Sequence, residues 1–404
     1  MHSEGVMTQQ LAEGFADPAF QANPHPAYAH WRRTGPVRQV RLPNDMNAWL
    51  ITRYDDSRRA LADPRLSKAI PLDAASATAR TPSIASAVSK HMLASDPPVH
   101  TRLRRLVSAA FTARRIEALR PRVEEITDGL LDDMQGKETL DLIDAFAFPL
   151  PIQVICELIG VPAADRDRFR SWSTIIVTGA LAGDALPVAT EEMVTYLRAL
   201  LAERRSHRAD DLISGLIDVR DREDRLTEDE LTSMIFLLLI AGHETTVNLI
   251  GNGALILLDQ RERWERLRAD PALLPTAIEE FLRYESPVET STFRVATEDL
   301  EIGGQRIAAG DPVLVVLLSA NRDEDRFPAP DDMHLDRAQN PHLAFGHGIH
   351  YCLGAPLARL EAQVAFGKLL ERFPGMRLAV PAEELTWRPG VLMRGLHDLP
   401  VVPA

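Results

Sequence analysis

The stretch LAFGHGIHYCLG, residues 343–354, gathers one thiol, two imidazoles and three glycines into twelve residues. Cys352 stands just before APLARLEAQVAFGKLL, whose early proline and amphipathic spacing predict a helix. The free N–H groups and positive dipole end of such a helix favour a thiolate. Glycines let the backbone approach a flat group closely, and Phe345 can shield the sulfur from water. Three chemistries use a thiol of this kind. A structural zinc site from His347, His350 and Cys352 would be crowded and would lack the usual two paired clusters. A Cys–His nucleophile would come without any oxyanion or substrate motif. An axial thiolate on haem iron pushes electron density toward O–O cleavage.

A second candidate, AGHETT, lies inside LTEDELTSMIFLLLIAGHETTVNLIGNGALILL (226–258). Thr227 with Glu230 reads as a capping box and Leu226 with Leu231 as a staple, so a helix of roughly 45 Å is expected. Its first half is apolar all round, which places it in the interior. Gly242 costs about 1 kcal/mol relative to Ala there. Glu244, Thr245 and Thr246 add polar groups to a buried span. Either the helix leaves the core and solvates Glu244, or it widens locally where a ligand meets the backbone and side chains supply protons. A third candidate is EEFLR (279–283). Glu280 and Arg283 share a helical face, which by spacing alone is a solvated ion pair.

These motifs sit in an acidic chain of 404 residues, with net charge −13 and 45% hydrophobic residues. That balance argues against nucleic acid as a partner. No apolar run approaches the roughly 20 residues that span a bilayer, the longest lying near MIFLLLIAG, and MHSEGVMTQQ has no basic region followed by an apolar one. A cytoplasmic protein without membrane contact is therefore expected. Two cysteines exclude a disulfide framework, and Cys156 in VICELIG reads as a small buried hydrophobe. Strand-like alternation appears in 37–42, 48–54 and 299–318, with helical periodicity elsewhere, as in 100–134 and 276–285. The expected fold is one mainly α domain over residues 1–404, with minor β regions near 37–70, 293–320 and 385–404. The Ala/Ser-rich stretch 73–90 reads as a mobile loop.

Together, in order and spacing, the Cys352 loop, AGHETT and EEFLR resemble the signature set of the cytochromes P450 across essentially the whole chain. The likeness is to soluble actinobacterial members that oxidise macrolides, other polyketides or sterols. It implies the P450 fold, a long central helix over haem b, Cys352 as iron ligand and Phe345 beside it. It further implies a buried triad of Glu280, Arg283 and Arg337 in place of a surface pair. The segment DDMHLDR departs from the family's usual Phe-Asp, leaving the packing of Met333 and His334 open. Two propionates need local cations, and His100, Arg104, Arg294 and His350 stand at family positions for them. Ala241, Gly346 and Gly354 complete the expected haem contacts.

The resemblance also implies NAD(P)H-driven insertion of one oxygen atom of O2 into a C–H bond, or epoxidation. Electrons would come singly from a ferredoxin and its reductase, with Arg102, Arg105 and Arg359 as candidates for a basic docking patch. Glu244 and Thr245 would supply the protons. A haem-binding recruitment or sensor module would need no such acid–alcohol pair. A haem isomerase or dehydratase, or a sterol or xenobiotic hydroxylase, are further alternatives. Candidate pocket residues are Met92, Leu93, Val177, Leu238, Ala241, Val288, Glu289, Leu392 and Met393, which suit a bulky, mostly apolar molecule. Between Leu66 and Ser95 one acid, Asp73, faces Lys68, Arg80, Lys90 and His91, so a neutral or anionic substrate is expected unless Glu289 or Glu244 supplies a carboxylate.

Overall fold

Residues 37–41 and 47–51 pair as an antiparallel hairpin, β1 (Val37–Arg41) and β2 (Asn47–Ile51), with Val37 opposite Ile51 and Arg41 opposite Asn47. The chain returns to this hairpin from its far end. β5 (Pro312–Val315) runs parallel to β2, with Trp49 aligned to Val313. On its other side lies β4 (Arg294–Ala296), followed by β3 (Leu66–Ser67), which gives the order β1-β2-β5-β4-β3. The sheet is covered on both faces, and the period of two shows why PVLVV is apolar throughout. Val313 and Val315 join a cluster with Leu61, Leu66, Phe327 and Leu343. Leu314 and Val316 join Tyr28, Trp31 and Leu50 on the opposite face.

This computed structural model describes residues 15, 17–42, 46–69, 82–108, 111–209, 211–220 and 226–404. Contacts divide the chain into two compact units, one of Met1–Ser67, Thr127–Ala147 and Thr245–Ala404, the other of Lys68–Ile126 and Phe148–Glu244. The first holds the sheet and the helices Leu274–Tyr284 and Ala355–Arg372. The second is helical, with Arg166–Thr178 packed on Ala185–Ser206 through the rings of Phe169, Trp172 and Tyr196. A mainly helical chain with small sheets drawn from both ends is what the alternation implies.

Three expectations are corrected. The helical pattern over 100–134 is broken into Val99–Ser108, Ala113–Ala118 and Arg120–Met134. Thr112 caps the second piece through the Arg115 N–H, and Pro121 opens the third where its missing N–H costs nothing. In the Ala/Ser-rich stretch, Pro82–Ser89 is a helix, while 73–81 lie outside the described residues. Finally, the central helix Glu228–Asp259 does reach the length and composition of a membrane span. Of its most apolar window 72% is buried inside the fold, the signature of a core helix.

Candidate active site

The entry of the Cys352 loop is fixed from two sides. Leu343 lies in the core under the sheet, and its N–H donates to Asn321 Oδ1 at 2.6 Å. The Tyr54 hydroxyl donates to the Pro341 carbonyl at 2.5 Å. The loop then turns on its own backbone, with Gly346 N–H on Leu343 O at 2.8 Å, Tyr351 N–H on Gly348 O at 3.1 Å and Cys352 N–H on Phe345 O at 2.9 Å. Gly346 and Gly348 take φ of 73° and 75°. A Cβ at Gly348 would also meet the Leu61 carbonyl oxygen at 3.0 Å, so the spacing of the glycines is a steric requirement.

This turn delivers Cys352 to an exposed position just ahead of the helix Ala355–Arg372. Gly354 lies beside the sulfur, and a Cβ there would make an ordinary contact with Sγ at 3.9 Å. Cys156 is the opposite case, a buried thiol that desolvation pushes up to about 12. Among the described residues no three His, Cys, Asp or Glu side chains are grouped to hold a metal ion. The zinc reading of His347, His350 and Cys352 therefore falls. One accessible soft donor, flanked by glycines, suits a metal whose remaining ligands come from a flat macrocycle.

Behind the loop lies a buried ionic cluster. Arg283 donates from Nε and Nη2 to the two Glu280 oxygens at 2.7 Å each, and Arg337 Nε lies 3.0 Å from both. Asn340 Nδ2 and the His334 N–H, each at 3.1 Å, add further donors. Glu280 and Arg283 are wholly buried, which rules out the solvated pair suggested by spacing. Burial alone would raise the Glu280 carboxyl, but these bonds, led by Arg283, hold it below the usual carboxylate range. The unusual Met333-His334 pair is accommodated because His334 contributes its N–H and is exposed, while Leu335 takes the packed position.

Sequence reasoning missed the links from this cluster to the loop. Arg283 donates to the Asn321 carbonyl at 3.1 Å, and Asn321 in turn receives the Leu343 N–H. Glu279 holds Arg359 through two bonds of 2.7 and 2.8 Å and His342 Nε2 at 3.0 Å, while the Arg359 guanidinium lies 4.6 Å over the Phe345 ring. Burial opposes ionisation of Glu279, yet the Arg359 and His342 bonds bring it to about 2. The doubled acid of EEFLR was the available signal: each carboxylate serves its own arginine.

The central helix opens with the capping box, Thr227 N–H on Glu230 Oε2 at 2.8 Å and Glu230 N–H on Thr227 Oγ1 at 3.2 Å, and Leu226 and Leu231 are both buried. It runs as unbroken α-helix through AGHETT, so no local widening occurs. Gly242 is explained by packing instead, since a Cβ would stand 2.9 Å from Ile155 Cδ1. Nor does the helix leave the core here, because Glu244 is 0% exposed. Ala241 is exposed and Thr245, one turn on, half-buried, so a narrow accessible stripe crosses an otherwise buried helix.

Comparison with known proteins decides among the remaining chemistries. The cytochrome P450 family model matches residues 182–380. Cytochrome P450 107B1 of Saccharopolyspora erythraea is 52% identical over 394 residues, 96% of this chain and 96% of that protein. The chain belongs to the cytochrome P450 family. The solved structure of tirandamycin C-bound P450 monooxygenase TamI superposes with a TM-score of 0.90 at 50% identity, covering 96% of this P450 and 99% of that chain. The polyketide biosynthesis cytochrome P450 PksS of Bacillus subtilis is 42% identical over 95% of this chain and 96% of its own. This chain is thus a monooxygenase with the P450 fold that works with haem iron and O2, and neither the nucleophilic thiol nor the sensor-module reading stands.

In the P450's first unit, Arg294 is buried on β4 with Nη1 on the Leu66 carbonyl at 3.2 Å, and His350 ends the short turn Gly348–His350. In its second unit, His100 is buried and Arg104 half-buried, one turn apart on Val99–Ser108. The proposed docking arginines are more engaged than expected. Arg102 is bonded to Glu230 and Arg359 to Glu279, and only Arg105 of the three is exposed.

Of the pocket candidates, Val288, Leu392 and Met393 are half-exposed, with Val288 bridged to Met393. Glu289 points the other way. It is 1% exposed, receives the Tyr28 hydroxyl, and is pushed up to about 7 by burial against the opposing pull of Arg394 and that hydroxyl. It therefore leaves the pocket set, because alternation along an extended segment turns its side chain into the core. Arg394, the next residue after Met393, is likewise buried, with Nε on Glu285 at 2.8 Å. In the second unit Met92 and Leu238 are nearly covered, and Leu93 and Val177 half-buried.

Proposed function

We propose that this P450 hydroxylates or epoxidises a bulky, mostly apolar polyketide, such as a macrolide, in antibiotic biosynthesis. The reading rests on the accessible Cys352 sulfur at the head of its helix, with haem b as the group it ligates. Haem iron supplies O2 activation and transfer of one oxygen atom. His350, Arg294, His100 and Arg104 are the cations for its propionates, and Phe345, Gly346, Gly354 and Ala241 the close contacts. The half-exposed apolar Val288, Leu392 and Met393 suit a large scaffold, and PksS, named for polyketide biosynthesis, supports the class. Residues 1–404 act as one cytoplasmic P450 domain, fed with electrons by a ferredoxin and its reductase.

Glu244 and Thr245 move protons to the oxygen. Glu244 is a buried carboxylate and Thr245 an accessible hydroxyl on the same helix, so a carboxylate ionised at rest can take up a proton inside and release it toward the exposed stripe. Thr245→Ala is expected to retain ligand binding and NADPH consumption while product per NADPH falls, with the difference recovered as peroxide. General acid–base groups contribute about 10²- to 10⁴-fold, so the loss is large enough to measure in a peroxide assay. Unchanged product per NADPH would remove Thr245 from the mechanism.

The substrate is neutral or anionic at pH 7. Glu289, the carboxylate that could have met an ammonium group, faces Tyr28. The basic count between Leu66 and Ser95 is smaller than it looks. Lys90 Nζ is 3.2 Å from Asp229, and His91 is lowered to about 4 by burial and Lys68, so it is uncharged at pH 7. Asp73 and Arg80 lie outside the described residues. An aglycone should therefore bind more tightly than its amino-sugar derivative when haem absorbance is titrated at low and high salt. Tighter binding of the cation, weakened by salt, would reverse the assignment.

A further inference from the structure

His243, between Gly242 and Glu244, is the member of AGHETT that neither the fold nor the proton pair accounts for. It is 1% exposed and held on three sides. Nδ1 lies 2.7 Å from the Leu239 carbonyl, Nε2 lies 2.9 Å from Ser173 Oγ on the helix Arg166–Thr178, and the Phe148 ring meets it edge-on at 5.8 Å. Glu244 Oε1 lies 3.6 Å from the same Nε2. A carbonyl can only accept, so Nδ1 carries a proton. Ser173 has one hydroxyl hydrogen, and the Arg170 carbonyl stands 3.1 Å away to receive it, so Nε2 can bring a proton of its own to the serine oxygen. Imidazole protonated on both nitrogens is a cation, and a buried cation needs a partner. The Glu244 carboxylate is beside it.

We propose that His243 is the positioning residue for Glu244: as an imidazolium locked between Leu239 and Ser173, it holds the buried carboxylate ionised and aimed at one place on the central helix. This rests on the monooxygenase reading given above for Glu244 and Thr245. The pairing explains how an acid can be kept in a wholly buried position without losing its charge, and it ties that charge to Arg166–Thr178 through a single hydroxyl. His243 itself touches no reacting atom, so its effect must run through Glu244.

The test uses the full haem-loaded protein with ¹⁵N-labelled histidine, in the diamagnetic ferrous carbon monoxide form. The His243 signal is assigned from its loss in His243→Asn. At pH 7 both ring nitrogens of His243 should be protonated, and Glu244→Gln should leave only one protonated. A neutral His243 in the unaltered protein, or a pattern indifferent to Glu244→Gln, overturns the proposal. The absorbance of the same sample reports whether thiolate ligation itself stands, so the two failures are separable. The second readout is NADPH consumption without added substrate, driven by a plant-type ferredoxin and its reductase in H2O and D2O. His243→Asn should slow it about ten- to hundredfold, the scale on which outer partners of a reactive group act, and enlarge the solvent isotope effect. Added to Glu244→Gln it should cause no further loss. Equal losses on both backgrounds would mean that His243 acts independently of Glu244. Should His243→Asn fold poorly, His243→Gln serves both readouts.

Discussion

Cys352→Ser yields a folded protein whose reduced carbon monoxide complex lacks the strongly red-shifted band of a thiolate-ligated haem. Folding should survive because the side chain is exposed and its loop is fixed by other atoms: the Asn321 bond to Leu343, the Tyr54 bond to Pro341 and the backbone bond from Cys352 N–H to Phe345 O. The bond from residue 352 to Phe345 O is made by its backbone, and serine supplies the same N–H. What changes is the donor atom. A thiol facing a helix N-terminus ionises readily, whereas a hydroxyl in the same place stays protonated and is a poor, hard ligand for haem iron. Cys156→Ser is the matched comparison, since that thiol is buried and held in its neutral form. It should keep the band. Survival of the band in Cys352→Ser would require a different axial ligand and would undo the site as described.

The loop, the helix that follows it and the capped start of the central helix could be read from sequence because each depends on contacts close along the chain. Thr227 and Glu230 of the box stand three positions apart, and the glycine spacing of 343–354 answers to the loop's own turns. What could not be read depends on partners far away in the chain. Gly242 invites a ligand explanation until Ile155 is seen against it. Glu289 reads as a wall of the pocket until Tyr28, 261 positions earlier, takes its carboxylate. Glu280 and Arg283 illustrate both cases at once. Their spacing alone describes a surface pair, the family resemblance implied a buried triad with Arg337, and the His334 backbone is the donor that neither pointed to. The family resemblance supplied Arg337 but not Asn321, whose two ends join that cluster to the cysteine loop.

Glu280→Gln should destabilise the protein more than any single change on its surface, and the damage should reach the haem site. Among the described residues Glu280 is the sole carboxylate bonded to Arg283, whose remaining donors go to the carbonyls of Asn321, Pro330 and Asp332. Glutamine keeps the shape but leaves Arg283 as a buried cation without its counter-charge. Breaking a buried pair from one side costs about 3–5 kcal/mol. With an unfolding entropy near 2.1 cal/mol/K per residue over the 404-residue chain, that corresponds to a fall in the thermal midpoint of roughly 4–6 °C. Arg283→Lys should behave similarly, because an ammonium cannot reproduce the planar fork that reaches both carboxylate oxygens and the Asn321 carbonyl. Surface pairs such as Arg306 with Asp299 provide the contrast, since an exposed ion pair contributes about 0–1 kcal/mol. The two effects are linked through Asn321, which accepts from Arg283 and orders Leu343 at the loop entry. Thermal scans should therefore be paired with carbon monoxide spectra. A shifted midpoint with an intact thiolate band would confine Glu280 to stability. Loss of the band at temperatures below unfolding would show that the buried charge cluster holds the cysteine loop in register.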